Sequence, residues 1–313
     1  MPHTFETARD GRVLTVLLDN PPHNLIDRRM VAELTTLVRA LERDRSLGSL
    51  VVTGKPDGLF VTHYDMGEML AGSARFRVTM PRAASGLAFW ASIGAARIPG
   101  ARAALLRTPV VGILDLHAIV TLLRRIERLD KVVIAAINGP ALGAACELAL
   151  TCDLRYMAAD AGAIGSPELS QGFLPGAGGT QRYARALRPA RALEHLLEAR
   201  MPAPEEALAL GLVHGILPPE QLLAKAVQTA HRLARRTPIS IAAAKRAVYG
   251  GGRLDASLAL GRRWFLAALS RPAARHAMRR YVDDLEREGW GPWENESTYA
   301  PWREGTAVDL LSA

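Results

Sequence analysis

Lys131-Val132-Val133-Ile134-Ala135-Ala136-Ile137-Asn138-Gly139-Pro140-Ala141-Leu142-Gly143-Ala144-Ala145-Cys146-Glu147 is the stretch on which the architecture of this chain turns. Lys131 to Ile137 is a continuous apolar run, suited to a strand covered on both faces of a parallel sheet. Asn138-Gly139-Pro140 breaks it, and Ala144 to Thr151 reads as a buried helix. A buried strand therefore passes through a glycine turn directly into a helix. Small residues at such a turn let the backbone approach a ligand closely. Glu147, set among Ala144, Cys146, Leu148, Ala149 and Leu150, does not suit a surface role.

On the N-terminal side, Val13, Leu14, Val16, Leu17 and Leu18 read as a strand that ends at Asp19-Asn20-Pro21-Pro22. A helix follows from about Asp27 to Arg43, with Met30, Leu34, Leu37, Val38 and Leu41 on one face. Leu50 to Gly54 is the next short strand, and strand, helix, strand implies a parallel crossover unit. Residues 70–114 show no clear period and read as loop and short helices, an insert before a helix through Ile119, Leu122, Leu123, Ile126 and Leu129. On the C-terminal side, Leu154 to Ala158 is another strand. Helices are expected over 183–187, 189–199, 204–210, 219–236, 239–249, 254–269 and 272–288, several of them opening on proline. From Trp290 to Ala313 the chain reads as irregular and surface-bound. The division is a core over 1–200 with its insert at about 70–114, a helical region over 201–288 and a tail over 289–313.

Composition excludes several classes. With 313 residues, 49% apolar and 22% charged, the chain can bury a substantial globular core. Met1-Pro2-His3-Thr4-Phe5-Glu6 is polar and has no apolar h-region of a secretory signal. The window Ala103 to Leu123 is interrupted by Arg107, Pro109, Asp115 and His117, too polar to span a bilayer. Cys146 and Cys152, six apart, have neither a disulfide framework nor a zinc-ligand spacing, and fit small core residues in a reducing cytoplasm. The net charge of +8 fits a solvated arginine-rich surface or a field that attracts a polyanion, nucleic acid or a phosphate-bearing acyl carrier. Residues 71–114 hold Arg75, Arg77, Arg82, Arg97, Arg102 and Arg107 and no acid. Few aromatics accompany them, which argues against a stacking platform for single strands.

The central segment resembles a known family. Asn138 to Asp153, with Leu142-Gly143-Ala144-Ala145-Cys146-Glu147 at its centre, is similar to the signature of the enoyl-CoA hydratase/isomerase (crotonase) superfamily. Ser166-Pro167-Glu168 and Pro175-Gly176-Ala177-Gly178-Gly179-Thr180-Gln181-Arg182 resemble its next block, and Ala209-Leu210-Gly211-Leu212-Val213 a further one. The likeness covers about 12–69 and 115–250. It implies an α/β crotonase fold of repeated β-β-α turns, with a C-terminal helical part that contributes to trimerisation, trimers pairing into hexamers. It also implies an acyl-CoA substrate and no cofactor or metal, coenzyme A being part of the substrate.

By the same resemblance, Tyr64 and Ala144 supply the two main-chain N–H groups of an oxyanion hole. Glu147 matches the glutamate that activates water, and Glu168 the one that exchanges the α-proton. Asn24, His63, Tyr64, Asp65, Met66, Gly67, Gly143 and Ala144 are the expected substrate and CoA contacts. His63 stands where the family usually has glycine, and Ala144-Ala145 replace a glycine pair. The chemistry is coherent: hydration of a conjugated thioester needs water at the β-carbon, a proton at the α-carbon and stabilised enolate-like charge. The expected activity is hydration of a trans-2-enoyl-CoA. The alternatives are double-bond isomerisation, acyl-CoA binding without catalysis, and nucleic-acid association through the basic insert.

Overall fold

A computed structural model describes residues 3–73, 81–108, 110–249, 262, 265–267, 269–289, 291–294, 296–303 and 306–308. The apolar runs become the middle of a six-stranded sheet. Strands β2 (Val13–Leu18), β3 (Ser49–Gly54) and β4 (Val132–Ile137) lie side by side and parallel, and all six residues of β3 are buried. Each fully buried Val, Leu or Ile there contributes about 1.5–3 kcal/mol. The strand order is completed by β1 (Phe5–Asp10), antiparallel to β2 at one edge, and by β6 (Leu154–Ala158) and β8 (Gly215–Leu217), both parallel, at the other.

Helix α1 (Arg28–Leu41) returns the chain from β2 to β3. The Asp27 side chain caps it by accepting the Met30 N–H at 2.7 Å, and Met30, Val31, Leu34, Val38 and Leu41 form its buried stripe. Helix α2 (Met66–Ser73) opens on Asp65, whose carboxylate accepts the Glu68 N–H. Helices α3 (Arg82–Ala95), α4 (Ala101–Leu105) and α5 (Val111–Arg128) lead to β4.

The next two turns of chain repeat one plan. From β4 in the large sheet the chain enters β5 (Ala141–Leu142) in a small second sheet, then helix α6 (Ala144–Thr151). From β6 it enters β7 (Ile164–Gly165), again in the small sheet, then a short 3-10 helix over Pro167–Gln171. Strands β5 and β7 pair in parallel, Leu142 opposite Gly165. The Leu142 N–H also donates to the Thr62 carbonyl at 2.8 Å, and Ile26 bridges Tyr64. Three chain segments thus run past one another in register before each delivers its functional residues. This is the β-β-α repetition implied by the family resemblance.

Helices α7 (Gly179–Ala186), α8 (Pro189–Leu197), α9 (Pro204–Leu210), α10 (Pro219–Leu233), α11 (Pro238–Tyr249) and α12 (Pro272–Glu288) complete the shell, with α10 packed along the large sheet. Among the described residues no helix is long and apolar enough to cross a membrane.

Three expectations are corrected. Segment 70–114 is more helical than expected. The face of α3 that turns inward carries Ser85, Gly86, Phe89, Ser92 and Ile93, helical spacing in which small polar residues dilute the apolar signal. In its described residues the tail is neither irregular nor confined to the surface. Pro292–Glu294 form a 3-10 turn, Glu296–Arg303 form helix α13, and Trp293, Tyr299 and Trp302 are buried. Edge strand β1 and short β8 were missed, since Phe5–Asp10 is mostly polar and exposed and β8 has only three residues. Arg75 and Arg77 of the basic insert lie outside the described residues, as does most of the helix expected over 254–269.

Candidate active site

The two glutamates reach one cavity because their repeats are paired. Glu147 lies five residues beyond Leu142, and Glu168 three beyond Gly165, its partner in the small sheet. Glu147, in the first turn of α6, is 2% exposed, and Glu168, in the 3-10 helix, is 6% exposed. Both line one cavity, walled largely by apolar side chains with a few polar groups, the character of small-molecule sites.

Their surroundings differ. Glu147 Oε1 accepts the Gly179 N–H at 2.5 Å, and the buried Arg182 guanidinium adds an attractive charge. Burial still dominates and pushes the Glu147 carboxyl up to about 7. Glu168 has no such support, and its Oε2 is buried without a hydrogen-bond partner. Burial, and then the charge of Glu147, drive its carboxyl well above the usual range. Both carboxyls therefore keep their protons to higher pH than an exposed glutamate, and their titration belongs to the pair. Glycines make this arrangement possible. A Cβ on Gly179 would stand 2.9 Å from Glu147 Oε1, and one on Gly143 3.2 Å from Glu168 Oε1. Gly143 also has φ +53°, which disfavours any side chain.

Tyr64 and Ala144, the residues expected to give main-chain donors, line the same cavity as the acids. Ala144 is the first residue of α6, so its N–H has no intrahelical acceptor and carries the positive end of the helix dipole. In the bridge with Tyr64, Ile26 donates to the His63 carbonyl at 2.8 Å and accepts from the Asp65 N–H at 2.7 Å. That pattern turns the Tyr64 N–H away from Ile26, and both Tyr64 and Ala144 line the cavity. Thr62 faces Leu142 in the same register, and each donor lies two residues further on.

His63 fits without the left-handed backbone that glycine would permit: among the described non-glycine residues only Asn24 and Ala199 have positive φ. It is 1% exposed and borders the cavity, and burial lowers its imidazole to about 4, so the ring is neutral. Met66 and Gly143 line the cavity as expected. Asn24, Asp65 and Gly67 do not. The Asn24 side chain is buried and bonded to main-chain groups of Leu18, Asn20 and Phe60, Asp65 caps α2, and Gly67 lies on the exposed side of that helix.

Sequence reading missed much of the wall: Met69, Leu116, Ile119, Phe173, Leu269 and Trp293 are apolar contributors. Glu68, which accepts the Tyr64 hydroxyl at 3.1 Å, and Asp115, paired with Arg28 at 2.7 Å, are polar ones. Gly179 and Arg182 were quoted within the glycine-rich block, whose N–H-rich turn is the signal that could have marked them as supports of Glu147. For Trp293 the sequence holds no such signal. Cys146 and Cys152 are buried free thiols. Among the described residues no three or more His, Cys, Asp or Glu are grouped as metal ligands. The arrangement brings two buried carboxyls and two residues with candidate main-chain donors to one cavity, groups that could act together on a carbonyl and its neighbouring carbons.

The sequence profile of the enoyl-CoA hydratase/isomerase family matches residues 116–288. The crotonyl-CoA hydratase of Syntrophomonas wolfei is 31% identical over 249 residues, 79% of this chain and 82% of that protein. The short-chain-enoyl-CoA hydratase of Clostridium acetobutylicum is 27% identical over 285 residues, 90% of this chain and 95% of its own. The crystal structure of human mitochondrial delta3-delta2-enoyl-CoA isomerase superposes with a TM-score of 0.73 at 20% identity, covering 92% of this chain and 100% of that one, a likeness of fold.

Proposed function

Because this chain belongs to the enoyl-CoA hydratase/isomerase family and has the crotonase fold, we propose that it adds water reversibly to a trans-2-enoyl-CoA, giving the 3-hydroxyacyl-CoA. The thioester oxygen accepts the N–H groups of Tyr64 and Ala144, which stabilise the enolate-like charge of the transition state. Glu147, the carboxylate, takes a proton from water as the water oxygen bonds to the β-carbon. Glu168, the acid, delivers a proton to the α-carbon. One O–H bond of water, the O–H bond of Glu168 and the C=C π bond break, one C–O bond, one C–H bond and an O–H bond on Glu147 form, and the pair ends with its proton on Glu147, to be exchanged before the next turnover.

The observation that carries this reading is the unequal support of two buried carboxylates in one cavity: Glu147 has the Gly179 N–H and Arg182, while Glu168 Oε2 has no partner. An isomerase needs only one group that shuttles a proton. A hydratase uses a base and an acid together.

The reading calls on no metal or redox cofactor, coenzyme A entering with the substrate. We further propose a homotrimer or a dimer of trimers in the cytoplasm. Exposed Leu193, Leu197, Leu208, Ile239 and Val248 in the C-terminal half are apolar surface that such an assembly would cover. The test is purified protein with a short trans-2-enoyl-CoA, following loss of the conjugated absorbance and product identity. Formation of 3-hydroxyacyl-CoA is expected. Double-bond migration without water addition would make the protein an isomerase, and binding without turnover would make it an acyl-CoA carrier.

A further inference from the structure

A chain of hydrogen bonds links the C-terminal helix α12 to the main chain at Tyr64. His63 Nδ1 lies 2.7 Å from the Tyr64 carbonyl oxygen, and Nε2 lies 2.7 Å from the Tyr281 hydroxyl. A carbonyl only accepts, so Nδ1 carries the imidazole proton. In the neutral ring Nε2 is then an acceptor, and Tyr281 donates to it. The order is Tyr281 O–H to His63 Nε2, then His63 Nδ1–H to the Tyr64 carbonyl.

The surroundings leave these groups little freedom. Tyr281 is fully buried. The His63 ring meets Tyr281 and Trp293 edge-on, with centroids 5.4 and 5.3 Å apart, and Tyr281 lies 4.8 Å from Trp293. Gly291 closes over the tyrosine so tightly that a Cβ there would overlap its hydroxyl. On the receiving side, the His63 carbonyl accepts from Ile26, the Asp65 N–H donates to Ile26, and the Tyr64 carbonyl accepts from His63. Among the described residues, every main-chain polar group from the His63 carbonyl to the Asp65 N–H is thereby engaged, except the Tyr64 N–H.

We propose that His63 and Tyr281 are positioning residues for the oxyanion site: the Tyr281 hydroxyl orients the imidazole, the imidazole fixes the Tyr64–Asp65 peptide through its carbonyl, and together with the Ile26 N–H on the His63 carbonyl this holds the adjoining His63–Tyr64 peptide, whose N–H is left for the thioester oxygen. This rests on the hydratase reading above. It gives the histidine that replaces the usual glycine a task, and makes docking of the C-terminal segment a condition for a well-formed site.

The test uses the full chain with Tyr281→Phe, His63→Asn and the double variant. Asparagine can keep a donor near the Nδ1 position while lacking the acceptor for Tyr281. The probes are steady-state hydration and binding of para-dimethylaminocinnamoyl-CoA, whose absorption moves to longer wavelength as its carbonyl is polarised. For Tyr281→Phe, kcat is expected to fall about tenfold, less than the 10²–10³ of losing an oxyanion donor outright, with KM within about twofold. The red shift of the bound chromophore should shrink. Adding Tyr281→Phe to His63→Asn should change neither quantity further, because the link is already cut.

Full red shift and unchanged kcat in both single variants would overturn the relay and leave the hydratase reading intact. So would equal, additive losses that track only thermal stability. If the wild type neither binds nor hydrates an enoyl thioester, the hydratase reading fails instead. The relay is then judged on ¹⁵N-histidine spectra of the free protein: a His63 protonated at Nδ1, with an Nε2 signal that moves in Tyr281→Phe, supports it, and the opposite tautomer overturns it.

Discussion

The β4-β5-α6 and β6-β7-3-10 units follow the same path, from the large sheet through the small one into a helical turn, and each ends on a glutamate. Their local partners are not the same. The first glutamate receives an N–H from the glycine-rich loop and lies near Arg182; the second has its own main-chain N–H and its neighbour's charge, and its Oε2 has no partner among the described residues. Repetition of the backbone therefore sets where two carboxyls stand, and the residues packed behind each give them unequal support. On the proposed mechanism, two identical side chains take opposite tasks without any difference in their own chemistry.

The sharpest way to break that comparison is to neutralise each acid in turn. Glu168→Gln and Glu147→Gln should each lower kcat for hydration by about 10³-fold or more, since a positioned acid or base contributes about 10²–10⁴. The two should differ in a second measurement. Exchange of the α-proton of a bound saturated acyl-CoA with deuterated water should persist in Glu147→Gln and vanish in Glu168→Gln. Exchange surviving in the second variant would reverse the assignment of roles.

A smaller effect separates the glycines of the two units. Gly143→Ala should lower kcat about 10²-fold with a modest loss of stability, because the methyl lands beside Glu168 Oε1 and the +53° backbone must shift near the Ala144 donor. Gly165→Ala puts its methyl 2.7 Å from the Arg200 carbonyl and 2.8 Å from Met201, away from both acids. It should lower the melting temperature while the protein that remains folded keeps its kcat. Equal kinetic damage in both variants would mean that the small sheet acts as one block.

What could be read in the sequence follows the same division. The strand Val132–Ile137, the helix Ala144–Thr151 and the strand Leu154–Ala158 are local patterns, an apolar run or a helix between breakers, and they stand almost where the residues placed them. Glu147, Glu168, Tyr64 and Ala144 meet at one cavity because the glycine blocks carry that geometry within short segments. The opposite wall is built by long-range packing. Tyr281 reaches His63 across 218 residues, and Trp293, Tyr299 and Trp302 bury themselves in a segment whose prolines and glycines argue for loop. A tail whose aromatics find their partners only in the folded protein has no periodic signature. Helix α3 was obscured differently, by serine and glycine at positions that face inward.

The pH profile tests the inequality of the two acids with the least perturbation. On the proposed mechanism, hydration requires Glu147 ionised and Glu168 protonated. As pH falls through about 7, Glu147 gains a proton and the base is lost, so kcat/KM should drop about tenfold per pH unit on the acid side. As pH rises, Glu168 loses its proton only above that point, because burial and the charge of Glu147 both hold the proton on. The profile should be a bell whose two limbs belong to the pair. Arg182 lowers the first of them, so Arg182→Gln should move the acid limb upward while the alkaline limb, set by burial of Glu168, moves less. A rate that stays level down to pH 5 would mean that Glu147 is an ordinary carboxylate. The contrast between the two units would then lie in their positions alone.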